Sequence, residues 1–144
     1  MADRTSSSIS ISATGSEIMA VIADFPAYPG WAEGITAAEI VSTGDDGRAE
    51  RVRITLEAGP IKDTYVLAYD WNDDDAVHWN LAERGTMLTG MTGAYHLAER
   101  GGNTEVTYEL AVDVRIPMIG MVKRKAEKRI IDTALTGLKR RVEG

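Results

Sequence analysis

The stretch from Pro117 to Val142 constrains this chain more than any other feature. Ile119, Val122, Ala126, Ile130, Ala134, Leu138 and Val142 recur at spacings of three and four, which places them on one helical face. Ile131 and Leu135 widen that face. Pro117 suits the first turn, where its missing N–H costs nothing. A helix of about 26 residues runs roughly 39 Å at 1.5 Å per residue. One short strand cannot bury an apolar stripe of that length, so the helix must lie across a whole sheet.

The sequence ahead of it supplies that sheet. Ser8 to Thr14 alternates Ile9, Ile11 and Ala13 against serines and reads as a half-buried strand. Thr14-Gly15-Ser16-Glu17 is a capping-box pattern that starts a short helix to about Ala23, with Ile18, Val21 and Ile22 on its apolar face. Pro26 stops it, and FPAYPGW (Phe25 to Trp31) reads as a compact turn or one short helix whose aromatics cover an end of the core. Six strands follow. They are Ile35 to Thr43, Arg48 to Ala58, Ile61 to Trp71, Ala76 to Ala82, Met87 to Ala98 and Thr104 to Arg115, separated by turn-forming stretches such as Gly44-Asp45-Asp46-Gly47, Gly59-Pro60 and Asn72 to Asp75. Tight turns between consecutive strands make an antiparallel meander. Gly90 and Gly93 inside the fifth of these predict a bend or bulge, as a curved sheet requires. The expected fold is α+β: a curved antiparallel sheet of about seven strands around a long C-terminal helix, with two short helices after the first strand. The 144 residues fit one domain, 1–144, with residues 1–7 expected to be disordered.

Composition removes several function classes. Without cysteine there are no disulfides, thiolate nucleophiles or cysteine-rich zinc sites, and a reducing compartment is suited. No stretch approaches the roughly 20 apolar residues of a membrane span. The polar, serine-rich start has no export pattern, so a cytoplasmic location is expected. A net charge of −6 argues against direct nucleic-acid binding. The charge is segregated, however. Pro117 to Gly144 holds eight basic residues against Glu127, Asp132 and Glu143, whereas the remainder holds 8 basic and 19 acidic residues. A basic helix on an acidic body either attracts its own domain or docks on an anionic partner.

The opening ISISATGSEIMAVIADFPAYPGW, the hairpin EIVSTGDDGRAERVRI and the closing IPMIGMVKRKAEKRIIDTALTGLKRRV together span almost the full chain. In this order they resemble the helix-grip superfamily of START-like domains, also called SRPBCC. Within it they resemble the bacterial polyketide cyclase/dehydrase and lipid-transport branch, related to coenzyme-Q-binding proteins. The resemblance implies a cavity between a concave sheet and the terminal helix that takes lipids, isoprenoids or polyketides. It also implies that some members cyclise polyketides and that others act at the ribosome.

Catalytic signals are thin. There is no G-x-S-x-G, H-E-x-x-H or phosphate-loop pattern, and Gly90 and Gly93 do not open a helix. His78 should face solvent and His96 lies near a strand end, so no catalytic residue, metal site or cofactor is expected. Asp73-Asp74-Asp75 reads as a solvated turn. The aromatic and methionine set, which includes Tyr65, Met87 and Met121, is the stronger signal, because apolar walls with a few hydroxyls suit a lipid-like ligand. The expected ligand-binding residues are Trp31, Val52, Ile54, Leu56, Tyr69, Trp79, Met91, Tyr95, Tyr108, Leu110, Met118 and Val122. The expected function is binding or transport of a hydrophobic small molecule. A cyclase/dehydratase-type enzyme using Tyr108, or Arg53 or Glu57 in another register, is one alternative. Docking through the basic helix, transiently on a membrane or ribosome, is another, and exposed strand edges leave a homodimer open.

Overall fold

The computed structural model describes residues 5–32, 34–58, 61–115 and 120–144, the side chains at 58, 61, 120 and 121 excepted. The strands are β1 (Thr5–Ile11), β2 (Ile35–Thr43), β3 (Ala49–Ala58), β4 (Ile61–Asn72), β5 (Ala76–Glu83), β6 (Leu88–Arg100) and β7 (Asn103–Val114). Helix α1 (Gly15–Ala23) and a 3-10 helix (Phe25–Gly30) separate β1 from β2, and α2 (Gly120–Glu143) follows β7. All pairings are antiparallel in one sheet of order β1-β7-β6-β5-β4-β3-β2. The meander from β2 to β7 is therefore as expected, and β1 crosses over to pair with the last strand. The expected turn at Gly59-Pro60 and the placement of Pro117 and Ile119 lie outside the described residues.

Alternation sets the two faces of the sheet. Val52, Ile54 and Leu56 of β3, Val77 and Trp79 of β5, and Val106, Tyr108, Leu110 and Val112 of β7 turn inward and are buried. A register shift between Leu88 and Gly90 lets both Leu88 and Met91 face the core. Gly93 has another role from the bend expected of it: a Cβ there would stand 2.3 Å from the indole of Trp79. The missing side chain is what lets Trp79 lie flat across its cross-strand partner.

Local signals behave as the sequence implies, with one correction. The Thr14 hydroxyl accepts the Glu17 amide at 3.1 Å, capping α1. Glu99, from the far end of β6, adds a second acceptor by taking the Gly15 amide at 2.6 Å. Residues Thr5 to Ser7, expected to be disordered, are instead the first rungs of β1, paired with Leu110, Glu109 and Tyr108 of β7. Ser6 and Ser8 point outward while the backbone completes the ladder, so a serine-rich composition does not forbid a strand.

Helix α2 packs on β1, β7 and α1 and only lightly on β3. Its buried centre is Ala126, Ile131, Ala134, Leu135 and Leu138, so Ile131 and Leu135 are the middle of the face rather than its margin. Glu127 lies in that face too and is 0% exposed. Glu127 reaches β7 two residues beyond Leu110, the partner of Thr5. Its Oε2 accepts from Val112 N–H at 2.8 Å and its Oε1 from the Thr5 hydroxyl at 2.7 Å. Farther along, a Cβ at Gly137 would stand 1.9 Å from the Trp31 carbonyl oxygen, so only glycine lets α2 touch the end of the 3-10 helix. Replacing Glu127 by alanine leaves the Val112 amide buried and unpaired, which costs about 2–3 kcal/mol. Urea denaturation is expected to show that loss for Glu127→Ala and a smaller one for Glu127→Gln, which keeps an acceptor oxygen.

Candidate functional site: an aromatic cavity under the terminal helix

Between α2 and the inner faces of β3 to β7 lies a cavity of about 50 Å³. Its wall includes Ile54, Leu56, Tyr69, Trp79, Met91, Tyr95, Tyr108 and Leu110, all among the expected ligand-binding residues. The structure adds Tyr28, Ala32, Ile35, Tyr65 and Leu67, and α2 contributes only Ile130 and Ala134. Three expected residues do not join them. Val52 is fully buried in the core beyond the cavity. Trp31 packs on Tyr28, its ring centroid 4.8 Å away, on the side facing Gly137. Val122 is 43% exposed: with Lys125 and Arg129 it lies on the side of α2 turned away from the sheet, because the buried face centres on Glu127, Ile131 and Leu138. Met118 lies outside the described residues. The three-four spacing that begins at Val122 runs along the margin of that buried face, so periodicity alone misplaced it.

Trp79 is the hub of the wall. Its ring centroid is 5.6 Å from each of Tyr69, Tyr95 and Tyr108, and Tyr95 and Tyr108 are 4.6 Å apart. Phe25 joins Tyr69 and Tyr28 at 4.9 Å each, so the FPAYPGW segment closes the aromatic wall as well as the core. Tyr28 donates its hydroxyl to the Ile22 carbonyl. Among the described residues no comparable bond ties down the hydroxyls of Tyr65, Tyr69, Tyr95 and Tyr108. These four phenols face the cavity with hydroxyls free to meet whatever fills it.

Burial pushes the pKa of every tyrosine in the chain upward, and neighbouring tyrosines add to the effect at Tyr28, Tyr65, Tyr69 and Tyr95. At neutral pH all are uncharged and donate hydrogen bonds without taking up protons. The wall holds no carboxylate, imidazole or amine among the described residues.

The other sequence candidates fall outside. Arg53 and Glu57 point outward and pair with Glu39 at 3.0 Å and Lys62 at 3.6 Å. His78 is exposed, as expected, and His96 binds Glu109 at 2.8 Å on the same outer face. Asp74 pairs with Arg48 at 2.6 Å. No cluster of three or more metal-ligating side chains exists among the described residues.

Sequence reasoning missed Asp63. It is separated from the cavity by Leu56, which lines both the cavity and the outer cleft beside Asp63. Its carboxylate accepts the amides of Thr64, Thr86, Met87 and Leu88 at 2.8 to 2.9 Å and the Thr86 hydroxyl at 3.1 Å, pinning the loop between β5 and β6. A lone aspartate early in a strand gives no sequence signal for such a clamp. Burial opposes its ionisation, but the amides of Leu88, Thr86, Met87 and Thr64 outweigh that and hold its pKa below the ordinary value.

Both shifts have measurable signs. The depressed pKa of Asp63 stabilises the fold above its unfolded-state pKa of about 3.9, and that contribution is lost as pH falls through the lower folded value. Asp63→Asn is therefore expected to be less stable by about 2 kcal/mol at neutral pH. Its stability should fall less steeply than wild type in acid titrations followed by circular dichroism. The raised tyrosine values act at the other end, since their contribution is complete below about pH 10 and lost above it. Tyrosinate absorbance should rise only together with alkaline unfolding, in one cooperative step; independent titration near pH 10 would contradict the packing of the wall.

The model of the family described as polyketide cyclase/dehydrase and lipid transport matches residues 2–143. No curated protein matches the chain in sequence. A START superfamily protein from Mycobacterium smegmatis superposes with a TM-score of 0.89 at 22% identity, covering 97% of each chain. The Zhui aromatase/cyclase from a Streptomyces strain superposes at 0.84 with 13% identity, covering 99% of this chain and 94% of that one. A Thermus thermophilus protein gives 0.81 at 18% identity, with 98% and 97% covered. At these identities the structures share the fold, which is the helix-grip arrangement expected from the sequence. With a family model matched along nearly its whole length, the chain belongs to the polyketide cyclase/dehydrase and lipid-transport family.

Proposed function

We propose that this protein binds a hydrophobic small molecule bearing several oxygen atoms in the cavity beneath α2, as a carrier rather than a catalyst. The observation that carries this reading is the wall itself: aromatic and aliphatic on all sides, yet ringed by the free hydroxyls of Tyr65, Tyr69, Tyr95 and Tyr108. Apolar area supplies affinity, and the hydroxyls orient carbonyl or hydroxyl groups of the ligand. A pure hydrocarbon chain would leave four buried phenols unpaired, at a cost for each.

Polyketide cyclisation, the activity named for the Streptomyces neighbour, needs proton acceptors as well as donors. The described wall offers phenols held neutral by burial, which polarise a carbonyl but do not accept a proton at neutral pH. That favours binding over turnover.

A volume of about 50 Å³ holds little more than one water, whose share of liquid volume is about 30 Å³. Ligand entry therefore requires the wall to move apart. Native mass spectrometry of the freshly purified chain, followed by denaturing extraction, is expected to show a stoichiometric small-molecule adduct. Anilinonaphthalene sulfonate should bind the ligand-free protein and quench tryptophan fluorescence. Ala134→Leu fills the roof of the cavity, so it should weaken dye binding at least about tenfold at an unchanged or higher melting temperature. A clean apo mass together with no dye binding by the wild type would refute the reading.

A further inference from the structure

The charge asymmetry seen in the sequence becomes a surface in the fold. Residues 117–144 hold eight basic and three acidic side chains, and the rest of the chain holds 8 and 19. The three acids of the basic segment are already engaged. Glu127 is buried against β7, Asp132 pairs with Lys128 at 3.0 Å, and Glu143 pairs with Lys139 at 2.7 Å. Arg124, Lys125 and Arg129 stay exposed without a carboxylate partner among the described residues. Val122, Lys125 and Arg129 are spaced three and four apart, so they form one stripe on the side of α2 turned away from the sheet. Val122 is 43% exposed at the head of that stripe, an apolar side chain set among cations.

We propose that this outer face of α2 docks on a bilayer containing anionic phospholipid. Charge complementarity selects the occupant and fixes the orientation. The remainder of the protein carries 11 more acidic than basic residues and is repelled by such a surface, so only this face can approach it. The exposed valine favours a lipid interface over a polyanion such as RNA, which offers charge but no apolar layer to receive it. Ile130 and Ala134, the α2 side chains of the cavity roof, follow Val122 and Lys125 along the same helix by about one and a half to three and a half turns. The bilayer then becomes the reservoir with which the cavity exchanges its ligand. That use rests on the binding function proposed above; the docking itself does not.

The test is sedimentation of the full chain with phosphatidylcholine vesicles, with and without phosphatidylserine, at low salt and at about 1 M salt, where screening is nearly complete. The wild type is expected to sediment with the phosphatidylserine vesicles at low salt, and to remain in solution with phosphatidylcholine alone or at high salt. The triple variant Lys125→Gln/Lys128→Gln/Arg129→Gln should lower the partition coefficient about a hundredfold, and Val122→Asp should lower it further. These positions are exposed, so circular dichroism and binding of anilinonaphthalene sulfonate should be unchanged and report an intact fold and cavity. The proposal fails if the wild type ignores phosphatidylserine or if the triple variant sediments as well as wild type. It also fails if a homopolymeric RNA binds the same face as tightly as the vesicles do. Loss of docking with dye binding intact would refute the surface and spare the cavity. Docking without dye binding would do the reverse.

Discussion

The position of α2 over the sheet rests on two fixed points. At one, the buried carboxylate of Glu127 holds the Val112 amide and the Thr5 hydroxyl. At the other, Gly137 lets the helix backbone touch the Trp31 carbonyl. Ten residues separate them, about 15 Å of helix. Ile130 and Ala134 lie between and form the helical part of the cavity roof. A helix free to settle would sink until its side chains filled the gap, because unfilled space forfeits dispersion contacts. Pinned at both ends, it spans the cavity instead, and the small side chain of Ala134 leaves the gap open. The same clasp orders β1, since the strand's first residue is one of the two donors to Glu127.

Opposite that roof, the wall is stiff for a different reason. Trp79 lies on Gly93 and contacts three tyrosine rings, each of which contacts another aromatic ring or the indole itself. Planar rings with two torsions each are fixed at small entropic cost, so their hydroxyls stay where the packing sets them. Beside the cavity, the Asp63 clamp holds the β5–β6 loop through four backbone amides. Recognition groups thus sit on rigid elements. The freedom needed to admit a ligand must come from the roof and from the margin where α2 meets β3 only lightly.

Much of this was legible in the sequence because it depends on periodicity. The period-two alternation of β3 and β7 and the three-four spacing of α2 each report one buried face, and the turn residues report where the strands break. Ile54, Leu56, Tyr108 and Leu110 of the wall followed directly from that alternation. Periodicity describes an element alone, however, and the remaining features depend on what it meets. Val122 keeps the helical spacing but falls on the outer side of α2, because the buried face centres on Ile131 and Leu138. Gly93 looks like a bend until Trp79 is seen lying across it. Glu127 breaks the apolar pattern of α2 and reads as a surface charge, although it is the residue that fastens the helix. Asp63 looks like any strand-start acid, since three of its four backbone partners lie more than twenty residues away.

Cavity size and cavity chemistry point to the same physical conclusion. A space of about 50 Å³ is far below the roughly 300 Å³ at which ligand pockets begin, so the wall as it stands is a closed state. Closure by apolar contact alone would favour a filled core, and selection for packing would replace tyrosine by phenylalanine wherever a hydroxyl lacked a partner, because an unpaired buried hydroxyl is destabilising. Four tyrosines instead keep their hydroxyls at the cavity. A ligand with oxygen atoms would pair with these hydroxyls, whereas a hydrocarbon would bury them unpaired. That difference ties opening of the site to the chemistry of the molecule that enters, with the anchors of α2 limiting how far the roof moves.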